Sequence, residues 1–280
     1  MALTKFQEQV LAVLSKTRNP NSHFAGGATL NRNGPRLSND FDIFNDDPAI
    51  LAASVTTDLS TLAAHGFAAN KAFDRDARSH HFKCTVSRDG QSTEIDWSCD
   101  SVHRFFPAIR DSRFGWRLTE IDLATNKILA LAGRREPRDY VDIVELHSRG
   151  VTIATLAIAA PAKDPGFTPE LILDEITRNS RFTENDLKAV NSLQPIDPVA
   201  TKKLFLEGIA EARDILSQIS FDQVGMVCVH PDGRPITTTL AALQSDNVIK
   251  RPASAYGALP QLNQIFSARN RGDDDSGSGR

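Results

Sequence analysis

The run Asp40-Phe41-Asp42-Ile43-Phe44 constrains the fold of this chain more than any other stretch. Acidic and apolar residues alternate with period two, the pattern of a strand buried on one face and open on the other. Asp40 and Asp42 then share the open face, while Phe41 and Ile43 enter a core. Two carboxylates side by side on a half-buried strand repel, so the pair must take up a proton or hold a cation between its members. Mg²⁺, a hard ion, takes oxygen ligands in that setting. Upstream stands Gly26-Gly27, directly after the short apolar run His23-Phe24-Ala25. Lacking Cβ atoms, the two glycines can adopt positive φ and aim N–H groups at a phosphate.

Gly26-Gly27 followed by Arg36-x-Ser38-x-Asp40-x-Asp42 resembles the first motif of the nucleotidyltransferase superfamily, which has the fold of DNA polymerase beta. More narrowly it resembles the AbiEii/AbiGii toxin-type nucleotidyltransferases. A second block lies downstream: Lys127, then Arg138-Asp139-Tyr140-Val141-Asp142. It is similar to that family's lysine followed by Arg-Asp-aromatic-x-Asp. The two blocks together cover residues 20 to 145. The resemblance implies an α/β (α+β) fold, with a mixed sheet flanked by helices and a mainly helical C-terminal half. It also implies a third carboxylate on a strand beside the first pair. Thr93-Glu94-Ile95-Asp96-Trp97 alternates like the first run, and Asp96 is the best match.

The resemblance further implies a reaction. Asp40, Asp42 and Asp96 would hold two Mg²⁺ ions, and a nucleoside monophosphate would pass from an NTP to an acceptor with release of pyrophosphate. Asp96 is a candidate general base. Gly26, Gly27 and Ser38 would cradle phosphate, and Lys127 would point toward it. Arg36 has three readings, a phosphate ligand, the partner of a site carboxylate, or a plain surface arginine. Arg138, Asp139 and Asp142 have two as well: they line the cleft, or they form ion pairs that dock the helical half. The first motif reads Gly-Gly-Ala where relatives often carry a hydroxyl, though Thr29 is near. A basic residue expected between the blocks has four candidates: Lys71, Arg75, Arg78 and Lys83. The implied partners are an RNA or tRNA acceptor, or a protein hydroxyl, and a cognate antitoxin. The rival readings are a small-molecule, antibiotic-type transferase and a non-catalytic nucleotide-binding member.

Composition narrows the setting. The formal charge of −3 over 280 residues gives no global basic field for nucleic acid. One local stretch interleaves Arg104, Arg110, Arg113 and Arg117 with Phe105, Phe106, Phe114 and Trp116; it suits either nucleic acid or a core whose arginines face outward. Cys84, Cys99 and Cys228 are scattered, odd in number and without CxxC spacing, which fits reduced thiols in a cytoplasmic protein. The N-terminus is amphipathic rather than signal-like, and the apolar stretch from Val151 to Ala160 is too short for a bilayer, so no membrane role is expected.

Helices are expected over 4–16, from Asp46-Asp47-Pro48 through about Ala64, over 118–149 with a break at Gly133 and Pro137, and over 170–178, 185–192 and 198–218. Strands are expected at 82–86 and 93–97, joined by an Asp89-Gly90 turn. A later hairpin is expected between Gly225–Val229 and the segment from Ile236. The expected organisation is a catalytic domain (1–120), a helical domain completing the cleft (121–220), a hairpin and helix (221–269), and a disordered tail (270–280). His80 and His81 are strand-entry residues without an assigned role.

Overall fold

A computed structural model of the chain describes residues 3–72 and 80–258. The expected disordered tail, Arg75 and Arg78 lie outside those residues. The N-terminal half opens with α1 (Lys5–Leu14), started by a capping box in which Thr4 and Gln7 satisfy each other's backbone N–H. There follow β1 (Ser22–Ala25), α2 (Gly26–Leu30), β2 (Asp40–Asn45), α3 (Pro48–Ala64), β3 (Ala68–Ala72), β4 (His81–Arg88) and β5 (Gln91–Cys99). Short strands β6 (His103–Arg104), β7 (Ile109–Asp111) and β8 (Gly115–Arg117) close this half. Asp47 caps α3 and Pro48 takes its first turn, where a missing N–H costs nothing. Asp89 and Gly90 both have positive φ, 52° and 75°, as a tight two-residue hairpin requires.

Seven strands form one mixed sheet in the order β3-β4-β5-β2-β1-β8-β7. β2 and β5 run parallel, and β1 is antiparallel to β2. Phe24, Phe41, Ile43, Ile95 and Trp97 project from one face into a core completed by α1 and α3. Within it Asp58 of α3 is wholly buried; it pairs with Arg18 and accepts from Trp97 Nε1 at 2.8 Å, tying helix to sheet.

The helical half comprises α4 (Glu120–Gly133), α5 (Pro137–Ser148), α6 (Ile153–Ala159), α7 (Pro169–Asn179), α8 (Glu184–Lys188) and α9 (Pro198–Leu216). It ends in β9 (Met226–Val229), α10 (Leu240–Gln244), β10 (Ile249–Pro252) and β11 (Ser254–Ala255). These elements enclose a second core, which Ala25, Leu30 and Phe105 join from the sheet side. The apolar stretch from Val151 supplies α6, buried along its whole length. Among the described residues no single helix is long and apolar enough to cross a membrane.

One expectation is met in part and one is corrected here. The strand after Gly225 does close the expected hairpin, through an antiparallel bridge between Val229 and Pro235 and the Ile236 N–H donating to the Cys228 carbonyl at 2.8 Å, but the pairing is brief and its longer ladder is with β10. The segment after Ile236 is diverted: Thr238 N–H donates to Thr155 Oγ1 at 2.9 Å and Thr237 Oγ1 to the Gly150 carbonyl at 2.7 Å, so its polar groups are satisfied by the α5–α6 turn. The helix expected over 185–192 stops at Lys188. Beyond it the backbone pairs with the first motif instead, Leu37 N–H donating to Asn191 and Leu193 N–H to Pro35, each at 2.9 Å. The helical half therefore holds the Arg36–Ser38 segment in place.

Candidate active site

Register brings the acidic residues together. In the parallel β2/β5 pair, Asp40 lies opposite Glu94 and Asp42 opposite Asp96. The pleat that buries Phe41 and Ile43 turns Asp40 and Asp42 to the other face. Ala25 of β1 is the partner of Asp42 on its other side, so the chain reaches Gly26 beside the Asp42 carboxylate. Gly26 has φ +62°, and a Cβ there would stand 1.6 Å from Asp42 Oδ2. A Cβ on Gly27 would stand 2.5 Å from Arg36 Nη2. Both positions accept only glycine as the side chains stand, the first through conformation and space together.

These residues border a cleft of about 330 Å³. Asp40, Asp42 and Asp96 line its sheet side, with Gly26 and Gly27 at one end. The facing wall is α4, through Leu123, Asn126, Lys127 and Ala130, which recur at helical spacing. Arg134 and Arg138 stand at the rim, 57% and 37% exposed. Lys83, from β4, lies opposite Asp96 in register, lines the cleft and binds Glu94 at 2.8 Å. Lys83 is thus a candidate basic residue between the two motifs that reaches the cleft.

The carboxylates are partly engaged. Ser38 Oγ donates to Asp40 Oδ1 at 3.0 Å, and Arg138 Nη1 approaches Asp40 Oδ2 at 3.5 Å. Asp96 is in contact with His81, whose position at the start of β4 gave no hint of this in the sequence. Burial raises the pKa of Asp42 to about 6, and the charges of Asp40 and Asp96 add to it; Lys127 and the Gly27 N–H oppose the rise. Among the described residues no three of Asp, Glu, His and Cys close into a preformed cage. Asp40, Asp42 and Asp96 form an open row of hard oxygen donors. Such a row fits Mg²⁺, which keeps waters and takes substrate phosphates as further ligands.

Beneath the cleft lies an ion-pair network. Asp142, 1% exposed, accepts from Arg36 Nε at 2.5 Å, Arg36 Nη2 at 3.0 Å and Asn31 Nδ2 at 2.9 Å. Lys127 Nζ lies 3.2 Å from Asp142 and 2.7 Å from Asp139, and Asp139 also accepts from Arg134 Nε at 2.8 Å. Burial alone would discharge Lys127 and Arg36, but the paired carboxylates outweigh it and both cations are held more firmly than usual. Burial likewise works against ionised Asp139, yet Lys127 and Arg134 hold it below the ordinary carboxylate range. Asp139 and Asp142 thus sit under the cleft and not in its wall. Of their two readings, the geometry is that of ion pairs joining α5 to α4 and to the first motif.

Much of the Arg104–Arg117 stretch goes into core and ion pairs, while Arg110 stays exposed. Phe105 and Phe114 are fully buried, Arg104 binds Asp46 at 2.9 Å, Arg117 binds Asp111 at 2.6 Å, and Arg113 pairs with Glu8.

A family model described as "Nucleotidyl transferase AbiEii toxin, Type IV TA system" matches residues 15–195. No curated protein sequence matches the chain. Among solved structures, it resembles MenT4, a nucleotidyltransferase toxin of Mycobacterium tuberculosis H37Rv. The identity is 15%, the TM-score 0.57, and the match covers 78% of this chain and 84% of that one. A protein of H. pylori assigned as a nucleotidyltransferase aligns at 15% identity and a TM-score of 0.48, over 77% of this chain and 96% of its own. At such identities the first likeness shows a common fold.

Proposed function

Because the chain belongs to the AbiEii nucleotidyl transferase toxin family, of type IV toxin–antitoxin systems, we propose that its cleft transfers a nucleoside monophosphate from an NTP to an acceptor hydroxyl in the cytoplasm. The observation that carries this reading is the row Asp40, Asp42 and Asp96 facing Lys127 across a cleft that ends on Gly26-Gly27. In the proposal residues 1–120 carry the carboxylates and residues 121–220 close the cleft over them. The acceptor is an RNA such as tRNA, or a protein hydroxyl, and a cognate antitoxin counteracts the effect.

Asp40, Asp42 and Asp96 are the residues that would hold Mg²⁺, which when bound neutralises phosphate charge and lowers the pKa of an attacking hydroxyl. The remaining work falls to the chain itself. Gly26 and Gly27 let phosphate oxygens approach the backbone where any side chain would block them. Lys127, fixed by Asp139 and Asp142, presents a permanent positive charge from the helical wall. Arg138 is held to Asp40 only at 3.5 Å and is partly exposed, so its exchange from carboxylate to phosphate costs little. Arg134 and Lys83, each paired with a carboxylate, add positive charge at the rim. Asp96 is placed to take the proton of the acceptor hydroxyl. Arg36 and Asp142 act indirectly, by holding the first motif against α5.

The test is thermal unfolding with Mg²⁺ and each NTP. A rise in Tm with wild type that Asp42→Ala abolishes supports the assignment. An equal rise in both proteins removes Asp42 from the metal and nucleotide site.

A further inference from the structure

A second hollow, of about 630 Å³, lies at the other end of α2 and α4 from the Gly26-Gly27 turn. Its volume is that of a small-molecule site. Arg32 follows α2, Arg149 follows α5, Arg117 ends β8, and Arg234 lies in the turn after β9; all line this one space. Four guanidinium groups from four separate elements converge, yet the acidic residues of the wall are Glu120 and Asp232.

The pairing inside the hollow is incomplete. Arg32 and Arg149 share the single carboxylate of Glu120, at 3.8 and 3.4 Å. Arg149 reaches one more carboxylate, Glu145, at 3.7 Å. None of these three contacts is a hydrogen bond, whereas Arg234 Nε donates to Asp232 Oδ2 at 2.8 Å. Among the described residues the one hydrogen bond from the Arg32 guanidinium goes to the Thr29 carbonyl, at 3.3 Å. Arg117 is different: Asp111 and the Leu118 carbonyl occupy it, so it contributes field rather than donors. Burial makes the Arg32 cation harder to keep than usual, and Arg117 and Arg149 add to that against Glu120 and Asp111. Four carboxylates balance the four guanidinium charges, but Arg32 and Arg149 meet theirs without hydrogen bonds, so their donors stay available, and free guanidinium donors in a partly desolvated space favour a planar oxyanion. Thr119, Glu120 and Ile121 bring the N-terminal turn of α4 to the same wall, adding the positive end of a 14-residue helix. Phe106, Ile109, Val151 and Ile236 give the hollow an apolar side that a bare ion would not use.

We propose that this hollow is a second binding site, for a phosphate ester, with Arg32 and Arg149 as its principal ligands and Arg234 at its mouth. The phosphate belongs to a free nucleotide or to a single-stranded nucleic acid; the chemistry is shared. The site stands on its own residues and does not depend on the reading of the catalytic cleft.

The experiment measures binding of a nucleoside 5′-monophosphate and of a short single-stranded RNA, in EDTA so that metal-dependent binding in the cleft is silent. Three variants are compared with wild type: Arg32→Gln/Arg149→Gln, Arg134→Gln/Arg138→Gln as the cleft control, and Glu120→Gln. The first variant is expected to weaken binding at least tenfold, and the cleft control to leave most of it. Glu120→Gln frees both arginines and is expected to tighten binding several-fold, an effect that damage to the fold would not produce. Comparable affinity for nucleotide and strand identifies the nucleotide as the source. Much tighter strand binding identifies the nucleic-acid backbone, and its log–log salt slope falls by about 1.4 when the two arginines are lost. Absence of metal-independent binding by wild type overturns the proposal. So does loss of binding in the cleft control but not in Arg32→Gln/Arg149→Gln, or weaker binding by Glu120→Gln.

Discussion

Asp42 carries a measurable cost in the metal-free protein. Its pKa is raised from 3.8 to about 6 by burial and by Asp40 and Asp96. A carboxyl whose folded pKa lies above its unfolded value destabilises the fold when ionised. That penalty is fully present above pH 6 and is relieved as pH falls from 6 through 3.8. The difference of about 2 pH units corresponds to an upper bound of about 3 kcal/mol, reduced by whatever solvent reaches the group. Asp42→Asn removes the charge at every pH. In EDTA its advantage over wild type is therefore predicted to be small near pH 4, to grow to pH 7 and then to level. At about 2–4 °C per kcal/mol, the plateau is a Tm higher by several degrees. Thermal unfolding from pH 4 to 8 measures it, and Mg²⁺ is expected to narrow the gap by stabilising only wild type. A difference that is flat with pH, or a wild type more stable than Asp42→Asn at pH 8 in EDTA, refutes the electrostatic account of the row.

Other substitutions probe the supports. Gly26→Ala places a methyl group onto Asp42 at a positive φ; transferase activity should fall at least about 100-fold, with a loss of roughly 1–3 kcal/mol in urea unfolding. Lys127→Ala leaves Asp139 and Asp142 short of a buried partner and should cost about 3–5 kcal/mol in the same assay. Arg36→Lys keeps the charge but loses the two-pronged contact with Asp142, and is expected to destabilise by about 1–3 kcal/mol while weakening activity. Asp58→Ala, far from the cleft, strands buried Arg18 and should cost about 3–5 kcal/mol; whatever folded fraction remains should keep its specific activity.

Much of the catalytic half was legible because strand alternation is local. Asp40-Phe41-Asp42-Ile43 and Glu94-Ile95-Asp96-Trp97 each declare a polar face, and both faces turn out to be adjacent in register. What no local pattern could reveal was which cations meet which carboxylates. Asp142 and Arg36 lie far apart in sequence and join only when α5 docks on the first motif. Lys83 reaches the cleft through its register opposite Asp96, which no local pattern announces. His81 and Arg134 lacked any spacing that marks a ligand. The hairpin after Gly225 was legible from its turn, but its early end was not, because Thr237 and Thr238 find partners on distant elements, Gly150 and Thr155, outside any turn rule.

The most direct test of the central claim is transfer itself. Wild type and an Asp40→Ala/Asp42→Ala protein are incubated with each α-labelled NTP, Mg²⁺ and total cellular RNA, and label and pyrophosphate are followed together. The account predicts Mg²⁺-dependent pyrophosphate release, with label fixed to an acceptor by wild type alone. Label fixed equally by the double variant, or neither label nor pyrophosphate from wild type with any NTP, would contradict it.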